Sequence, residues 1–550
     1  MHMYKYFAFY YFLLTLLLPN FILSFTEQLS LAGALTNILL PAGIIWLLSS
    51  LSPKFGRSIW LMFPLIFFAA FQIVLLDLYG RSVIAVDMFL NLVTTNTSEV
   101  AELLGNMLPV IIAVVVLYVP SLTNGVIFIR KKVRLSEKFL KKNCLLSAGV
   151  TAAGLISLAL SYSGGAYAVT DHLYPANVCY NVYLAFDRTA KTGRYSETSA
   201  NFKYGAHSVH PSDKREIYLL VVGETARADN WQLLGYNRPT NPRLADRNDI
   251  YAAPEAYSES NTTHKSVPML LSPVNATDFN TDIYQVKSLI TAFKEAGFST
   301  AFLSNQRYNR SFIDFFAEES DTCVFIKELD DNATSLSRNS RPDSDLLPWL
   351  DKILAQEALK QLIVLHTYGS HFNYLDRYAK NDELFTPCDY TEATKSNRDK
   401  LINAYDNTIV ATDRLLTDCI SRLDSIDGAF AGLLYTSDHG EDIFDNGSGR
   451  FLHASPRPTL YQVHVPMIAW LSAGYRESYP DIAAAVGRNI SCLISTSRSF
   501  CPSAFEMAGI KVSGNAMTDT AASIFSDHYE PREQLYLTDH NTPVTLKSIL

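Results

Sequence analysis

Asp438 and His439 stand side by side where an apolar run over 431–436 stops at Ser437. A strand buried on both faces reads as such a run, and open α/β sheets bind ligands at the carboxyl ends of their strands. A carboxylate next to an imidazole at that place has the chemistry of a divalent-metal ligand pair, although a polar turn following a strand would also contain such residues. The pattern recurs along the chain. Glu224 follows the apolar stretch 217–222, His366 and His371 follow 362–365, and His453 comes after a Gly-rich loop. Taken singly, each has a plainer explanation, such as a helix-start carboxylate favoured by the dipole for Glu224. If the strand ends share one sheet edge, Glu224, His366, His371, Asp438, His439 and His453 gather there, and zinc among other divalent metals suits the set.

A metal needs a group to activate. The stretch 258–268 is dense in hydroxyls and lies at a predicted helix start, where backbone N–H groups favour phosphate. A hydroxyl coordinated to zinc becomes a nucleophile near neutral pH. The same residues also make good helix caps. Composition leaves Thr262, Thr263 and Ser266 equal.

The elements that must position these groups alternate in kind. Strands are predicted at 217–222, 300–304, 323–326, 362–367, 432–436 and 467–471, and helices at 284–296, 346–358 and 399–423. That alternation predicts a mostly parallel sheet covered on both faces. The 550-residue chain is too long for one typical core. Its net charge of −8 gives no reason to expect nucleic acid as a partner. The seven cysteines form no zinc-finger spacing, and only Cys492 and Cys501 are close enough in sequence to bridge in an oxidising compartment.

The amino-terminal part is of another class. Segments 6–25, 29–51, 59–79, 107–129 and 145–163 are each apolar and close to the length that crosses a bilayer. The first has no small-residue cleavage site after it and is expected to be retained. Basic residues fall at Lys5, between spans two and three, and between spans four and five, which puts the amino terminus in the cytoplasm and everything after the fifth span outside the inner membrane. Apart from Asp77 the spans hold no ionisable residue of the kind that marks a transport pathway. Between spans three and four, 86–104 has helical periodicity, with Met88, Leu92, Thr95 and Glu99 near one face; an amphipathic surface segment or a packing connector would each have it. The stretch 164–215 is a bridge with helical patches near 178–186.

These features together resemble the membrane phosphoethanolamine transferases, which include the lipid A modifying and mobile colistin-resistance enzymes of the alkaline phosphatase/sulfatase superfamily. The residues that carry the likeness are the five spans, Gly223-Glu224-Thr225-Ala226-Arg227, Asn261-Thr262-Thr263 ahead of Ser266-Val267-Pro268, Gly369-Ser370-His371, Asn403-Ala404-Tyr405-Asp406-Asn407 and Ser437-Asp438-His439-Gly440-Glu441. The resemblance implies a five-helix transmembrane domain (1–163), a bridge (164–215) and an α/β alkaline-phosphatase/sulfatase-like periplasmic catalytic domain (216–550). It implies one tightly bound zinc on Glu224, Asp438 and His439, with Thr263 as nucleophile and fourth ligand. His371 and His453 match a histidine pair linked with a second zinc or with acid/base work. Asn91, Thr95 and Glu99 match polar positions that meet the phosphoethanolamine head group, which favours the surface-segment reading. The implied protein is a monomeric, multi-pass bacterial inner-membrane enzyme. It would move phosphoethanolamine from phosphatidylethanolamine to lipid A, lipopolysaccharide core or another envelope glycan, the activity behind polymyxin resistance.

The departures matter too. Cysteines that flank the nucleophile in the lipid A enzymes are missing from 258–268, and a Cys-rich loop with a lysine is replaced by Asn305-Gln306-Arg307-Tyr308-Asn309-Arg310, where Arg307 or Arg310 could take a phosphate. Cys388 lacks its usual nearby partner, so the acceptor need not be lipid A. The nearest rival is phosphoglycerol transfer of the lipoteichoic-acid-synthase-like type. Sulfatase action is disfavoured because the Cys/Ser-x-Pro-x-Arg pattern is absent.

Overall fold

The computed structural model describes residues 3–80, 82–94, 108–164, 167–211, 213–329, 341–390, 392–513 and 519–550. The chain divides into two compact units, 1–90 with 103–187, and 91–102 with 188–550.

The first unit is helical. Helices α1 (Tyr4–Thr26), α2 (Leu31–Ser50), α6 (Leu108–Arg130) and α7 (Glu137–Ser163) are each long and apolar enough to cross a membrane. Helices α3 (Phe55–Leu61) and α4 (Phe63–Tyr79) pass the same test only as a pair, bent by 57° at Met62, and make a fifth candidate span. The sequence places one straight span at 59–79. Pro64 explains the break, since its ring cannot donate to the preceding turn and clashes with the carbonyl four residues back. Helix α7 packs on α2 through small residues: a Cβ on Gly154 would lie 2.7 Å from the Leu40 backbone, and one on Gly43 would lie 2.5 Å from the Thr151 nitrogen. Thr36 and Ser161 hydroxyls meet at 3.1 Å across the same seam. Such close backbone approach is how helices associate where lipid removes the hydrophobic drive. Helix α5 (Val86–Thr94) holds Asn91; Thr95 and Glu99 lie outside the described residues.

The second unit is built on one sheet. Its strands in chain order are β1 (Glu216–Gly223), β2 (Ile250–Ala253), β3 (Ser299–Ser304), β4 (Thr322–Phe325), β5 (Lys360–His366), β6 (Phe430–Ser437) and β7 (Met467–Leu471). The order across the sheet is β2-β7-β6-β1-β5-β3-β4, with β7 antiparallel to both its neighbours and the other pairings parallel. β1 is the centre. Its Tyr218, Leu220 and Val222 join one apolar cluster and its Ile217, Leu219 and Val221 the other. Burial on both faces removes the two-residue alternation that one-sided strands show, and each such side chain contributes about 2 kcal/mol.

The helices differ from the sequence reading mainly in length. The periodic stretch 284–296 is helical only as α10 (Leu289–Glu295), because the Ser288 hydroxyl caps it by accepting from the Ile290 N–H. The 346–358 prediction narrows to α11 (Leu347–Leu354), whereas α12 (Arg398–Asp424) is longer than predicted by a residue at each end. The helical patch near 178–186 belongs to α8 (Ala176–Thr192). All seven cysteines are free, so Cys492 and Cys501 are not bridged. Cys501 sits inside a helix with its thiol in the core, while Cys492 lies half-buried in the preceding turn.

Candidate metal centre and nucleophile

The register of the sheet decides what meets. Gly223 at the end of β1 is paired with Ser437 at the end of β6, so Glu224 and Asp438 leave neighbouring strands at the same level. The Asp438 N–H donates to the Gly223 carbonyl at 3.0 Å and seals the two ends together. On the other side of β1, the Ser370 N–H donates to the Glu224 carbonyl at 2.9 Å. Only glycine fits at Gly369 there: its φ is +50°, and a Cβ would lie 2.4 Å from that same carbonyl oxygen.

Glu224, Asp438 and His439 bring one ligand atom each within 4.8 Å of one another, and all three are buried. The His439 Nδ1–H donates to the Gly440 carbonyl at 3.0 Å, leaving Nε2 as the lone-pair nitrogen facing Glu224 and Asp438. Burial and the neighbouring His453 hold that imidazole well below its ordinary range, hence neutral. Asp438 Oδ1 accepts from the Thr225 and His439 N–H groups at 3.1 and 2.7 Å, and Oδ2 lies 3.3 Å from His439 Nε2. Burial pushes Asp438 up to about 6, and burial with the Asp438 charge raises Glu224 well above the carboxylate range. Two ionised carboxylates at this spacing repel by about 3–4 kcal/mol at an effective dielectric constant of ~20. A divalent cation is what this donor set lacks. Two buried carboxylate oxygens and a bare imidazole nitrogen fit one.

Helix α9 (Thr263–Leu270) presents the hydroxyl. Thr263 Oγ1 lies 3.2 Å from Glu224 Oε1, 3.4 Å from Oε2 and 3.1 Å from His439 Nε2. The Thr262 hydroxyl lies 3.1 Å from that of Ser260, and the Ser266 hydroxyl donates to the Thr262 carbonyl at 2.9 Å and approaches one ligand residue, Asp438 Oδ2, at 3.4 Å, whereas Thr263 meets two. Geometry thus separates three residues that composition left equal. The approach of α9 is fixed from behind by Asn261, whose amide donates to Gln462 at 2.6 Å and to the Ser455 carbonyl at 2.8 Å.

In front of Thr263 lies a cavity of about 320 Å³, with His366, His371, His453, Gln306 and Arg307 in its wall; Arg310 is not part of that wall. The His453 ring is 4.3 Å from that of His439 and 5.8 Å from that of His371. His371 Nδ1 lies 2.6 Å from the Phe372 carbonyl, and burial together with His453 holds it well below the ordinary range. His366 is a different case. It ends β5 with Nδ1 3.4 Å from the Ser304 hydroxyl, its Nε2 has no hydrogen-bond partner among the described residues, and burial lowers it to about 3. It stands in the cavity wall outside the Glu224–Asp438–His439 group.

Some positioning residues stand in motifs of the sequence reading that gave them no role of their own. Glu441 accepts from the Tyr374 hydroxyl and faces His453 Nδ1 at 3.6 Å. The Gln306 amide donates to the Thr367 carbonyl at 2.8 Å and approaches Glu224 Oε2 at 3.4 Å. The Tyr405 hydroxyl on α12 donates to the Thr225 carbonyl at 2.7 Å and accepts from the Arg227 N–H at 2.9 Å, bracing the loop that carries Glu224.

A largely parallel α/β sheet with a carboxylate–imidazole cluster and a hydroxyl at its carboxyl edge defines a hydrolase- or transferase-like class. Residues 216–510, more than half of the chain, match the family described as Sulfatase, and the chain belongs to that family. Among named relatives, phosphoethanolamine transferase EptA of Salmonella typhimurium is 31% identical over 287 residues, 51% of this chain and 51% of the relative. The chain spans about half the length of the curated relatives it matches. Among solved structures, the integral membrane lipooligosaccharide phosphoethanolamine transferase A of Neisseria meningitidis aligns with a TM-score of 0.72 and 24% identity, covering 89% of this chain and 90% of that one. The periplasmic domain of EptC from Escherichia coli, solved in complex with Zn, aligns with a TM-score of 0.54 and 19% identity over 63% of this chain and 96% of that domain. Helical membrane part and sulfatase-like domain therefore occur together in a known fold.

Proposed function

We propose that this protein is a zinc-dependent phosphoethanolamine transferase of the inner membrane, with Thr263 as the group that carries the phosphoethanolamine. The observation that supports this most is the position of Thr263 Oγ1, within 3.4 Å of Glu224 and His439 and at the wall of an open cavity. The names of the relatives, phosphoethanolamine transferases among them, and the zinc in the EptC domain point the same way.

On this reading Glu224, Asp438, His439 and Thr263 hold the zinc, which when bound lowers the pKa of the hydroxyl and neutralises charge on the phosphoryl oxygens. The Thr263 oxygen attacks the phosphorus of phosphatidylethanolamine, the bond to the glycerol oxygen breaks, and diacylglycerol leaves. His371 or His453 takes up the proton that Thr263 gives up and passes it to the leaving oxygen. An oxygen of the acceptor then attacks the phosphothreonine and Thr263 is regenerated. The acceptor is a phosphate or hydroxyl of an envelope glycolipid or glycan, lipid A and lipopolysaccharide core included. The catalytic domain, 216–550, faces the periplasm, joined by 164–215 to a multi-pass membrane domain, 1–163. Asn91, Thr95 and Glu99 meet the head group.

The test offers the full-length protein, in mixed lipid vesicles, labelled phosphatidylethanolamine or labelled phosphatidylglycerol and measures diacylglycerol release. The proposal expects release from phosphatidylethanolamine that is lost in Thr263→Ala. Release from phosphatidylglycerol alone would assign the chain to phosphoglycerol transfer, and a fully active Thr263→Ala would remove the nucleophile assignment.

A further inference from the structure

The first unit holds a second site, built at the end of the bundle that carries its basic connections. The turn between α2 and α3 supplies Lys54, the first turn of α3 supplies Arg57, and the turn after α6 supplies Lys132 and Arg134. The two turns are joined by a hydrogen bond from the Leu135 N–H to the Pro53 carbonyl at 3.0 Å, and Lys5 donates to the Arg134 carbonyl at 2.9 Å. Lys132 has a φ of +52°, and the Val133 N–H reaches back to the Phe128 carbonyl at 2.9 Å, closing α6 and turning the chain toward α3. Between the turns lies a cavity of about 310 Å³ whose wall includes all four cations. Its apolar side is Phe128, Ile129 and Val133.

Three features distinguish this place from the general basic bias of the face. The four cations converge on a cavity, whereas Lys131, Lys138, Lys141 and Lys142 on the same face do not line it. The cavity also has a rigid floor: a Cβ on Gly56 would lie 2.7 Å from the Gly125 carbonyl oxygen, so α3 and α6 are in backbone contact there. Ile129, 43% exposed, stands beside the cations in the cavity wall, and Trp60 and Leu61 further along α3 are 42% and 82% exposed. A soluble anion has no use for that surface, but acyl chains do.

We propose that this cavity binds the phosphodiester head group of an anionic phospholipid, with its acyl chains running along Ile129, Trp60 and Leu61. Basic pockets between membrane helices on the cytoplasmic side recognise anionic head groups by this chemistry, and a volume of about 300 Å³ is at the lower end for ligand sites. The site is separate from the transfer chemistry and stands whether or not the transfer reading holds.

The experiment is native mass spectrometry of the full chain released from micelles containing phosphatidylglycerol and phosphatidylethanolamine. Wild type is expected to keep phosphatidylglycerol in preference to phosphatidylethanolamine. The variant Lys54→Gln/Arg57→Gln/Lys132→Gln/Arg134→Gln is expected to lose that retention by at least about tenfold, as the loss of several near-surface cations predicts. The charge-matched variant Lys131→Gln/Lys138→Gln/Lys141→Gln/Lys142→Gln is expected to stay within about twofold of wild type. The milder Arg57→Gln/Lys132→Gln protein, checked for an unchanged elution profile, serves if the fourfold variant does not fold. Equal loss in both fourfold variants would reduce the effect to general charge and overturn the site. So would equal retention of the two lipids by wild type. Displacement of the lipid by inorganic phosphate alone would assign the cavity to a soluble anion and overturn the lipid assignment.

Discussion

Strand β1 carries a buried glutamate and a nearby histidine at each end, roughly 25 Å apart at the ordinary rise of a strand. At the amino end, Glu216 Oε2 accepts from the Tyr218 hydroxyl at 2.8 Å and meets His210 Nδ1 at 3.1 Å, and Lys360 lies 3.2 Å from Oε1. Burial works to raise this carboxyl, but His210, Tyr218 and Lys360 outweigh it and the net shift is downward. At the carboxyl end, Glu224 has a second carboxylate where Glu216 has a lysine, and its shift is upward. The fold therefore gives one buried glutamate partners of opposite charge from within the chain and sets the other beside a second carboxylate. A buried ion pair is part of the structure; a buried anion cluster beside a bare imidazole is where a metal belongs.

That contrast can be broken at either end. The largest effect is expected at Glu224. Glu224→Gln should weaken zinc binding by more than about 100-fold, the loss that outer partners alone can produce, as measured by competition with a chelating dye. Chelation should lower the melting temperature of the wild type and leave that of Glu224→Gln almost unmoved, because a ligand stabilises only the state that binds it. Equal sensitivity of the two proteins would put the metal elsewhere. At the other end, Glu216→Ala strands Lys360 and His210 and should cost about 3 kcal/mol of stability in denaturant unfolding, with zinc content per folded molecule unchanged. Zinc loss in that variant would erase the distinction between the ends. The smallest effect is in pH. The folded Glu216 carboxyl titrates below its unfolded value of 4.5, so its contribution is complete above that pH and is lost as pH falls through the folded value. Glu216→Gln should therefore lose less stability than wild type on acidification below about 4.5, and a parallel decline in both would contradict the assignment.

How far the sequence shows this asymmetry depends on the range of the contacts. Glu224, Asp438 and His439 are visible because β1 and β6 are buried on both faces and stop abruptly, so the polar residues stand at the end of apolar runs. That β1 and β6 are neighbours is a pairing that no local pattern encodes. Nor does composition rank Thr262, Thr263 and Ser266; the family resemblance points to Thr263, and the geometry separates them by how α9 meets the strand ends. His210 lies in a stretch that reads as a bridge, and its pairing with Glu216 depends on Lys360 and Tyr218 closing around them. β2 is missed because four residues, three of them half-buried, make too short a run, and the antiparallel β7 is legible as a strand but not in direction. The bend at Met62 follows from Pro64, whereas Pro120 inside α6 leaves one continuous helix.

The central claim is that the end of β1 starved of cations serves to make Thr263 a nucleophile. Its most direct measurement is to mix the full-length protein with phosphatidylethanolamine, quench with acid, digest and weigh the peptide that contains Thr263. The account predicts a single phosphoethanolamine on Thr263, absent when metal has been chelated first. Transfer that proceeds with the group on Thr262 or Ser266, or with no group on this peptide at all, would contradict it.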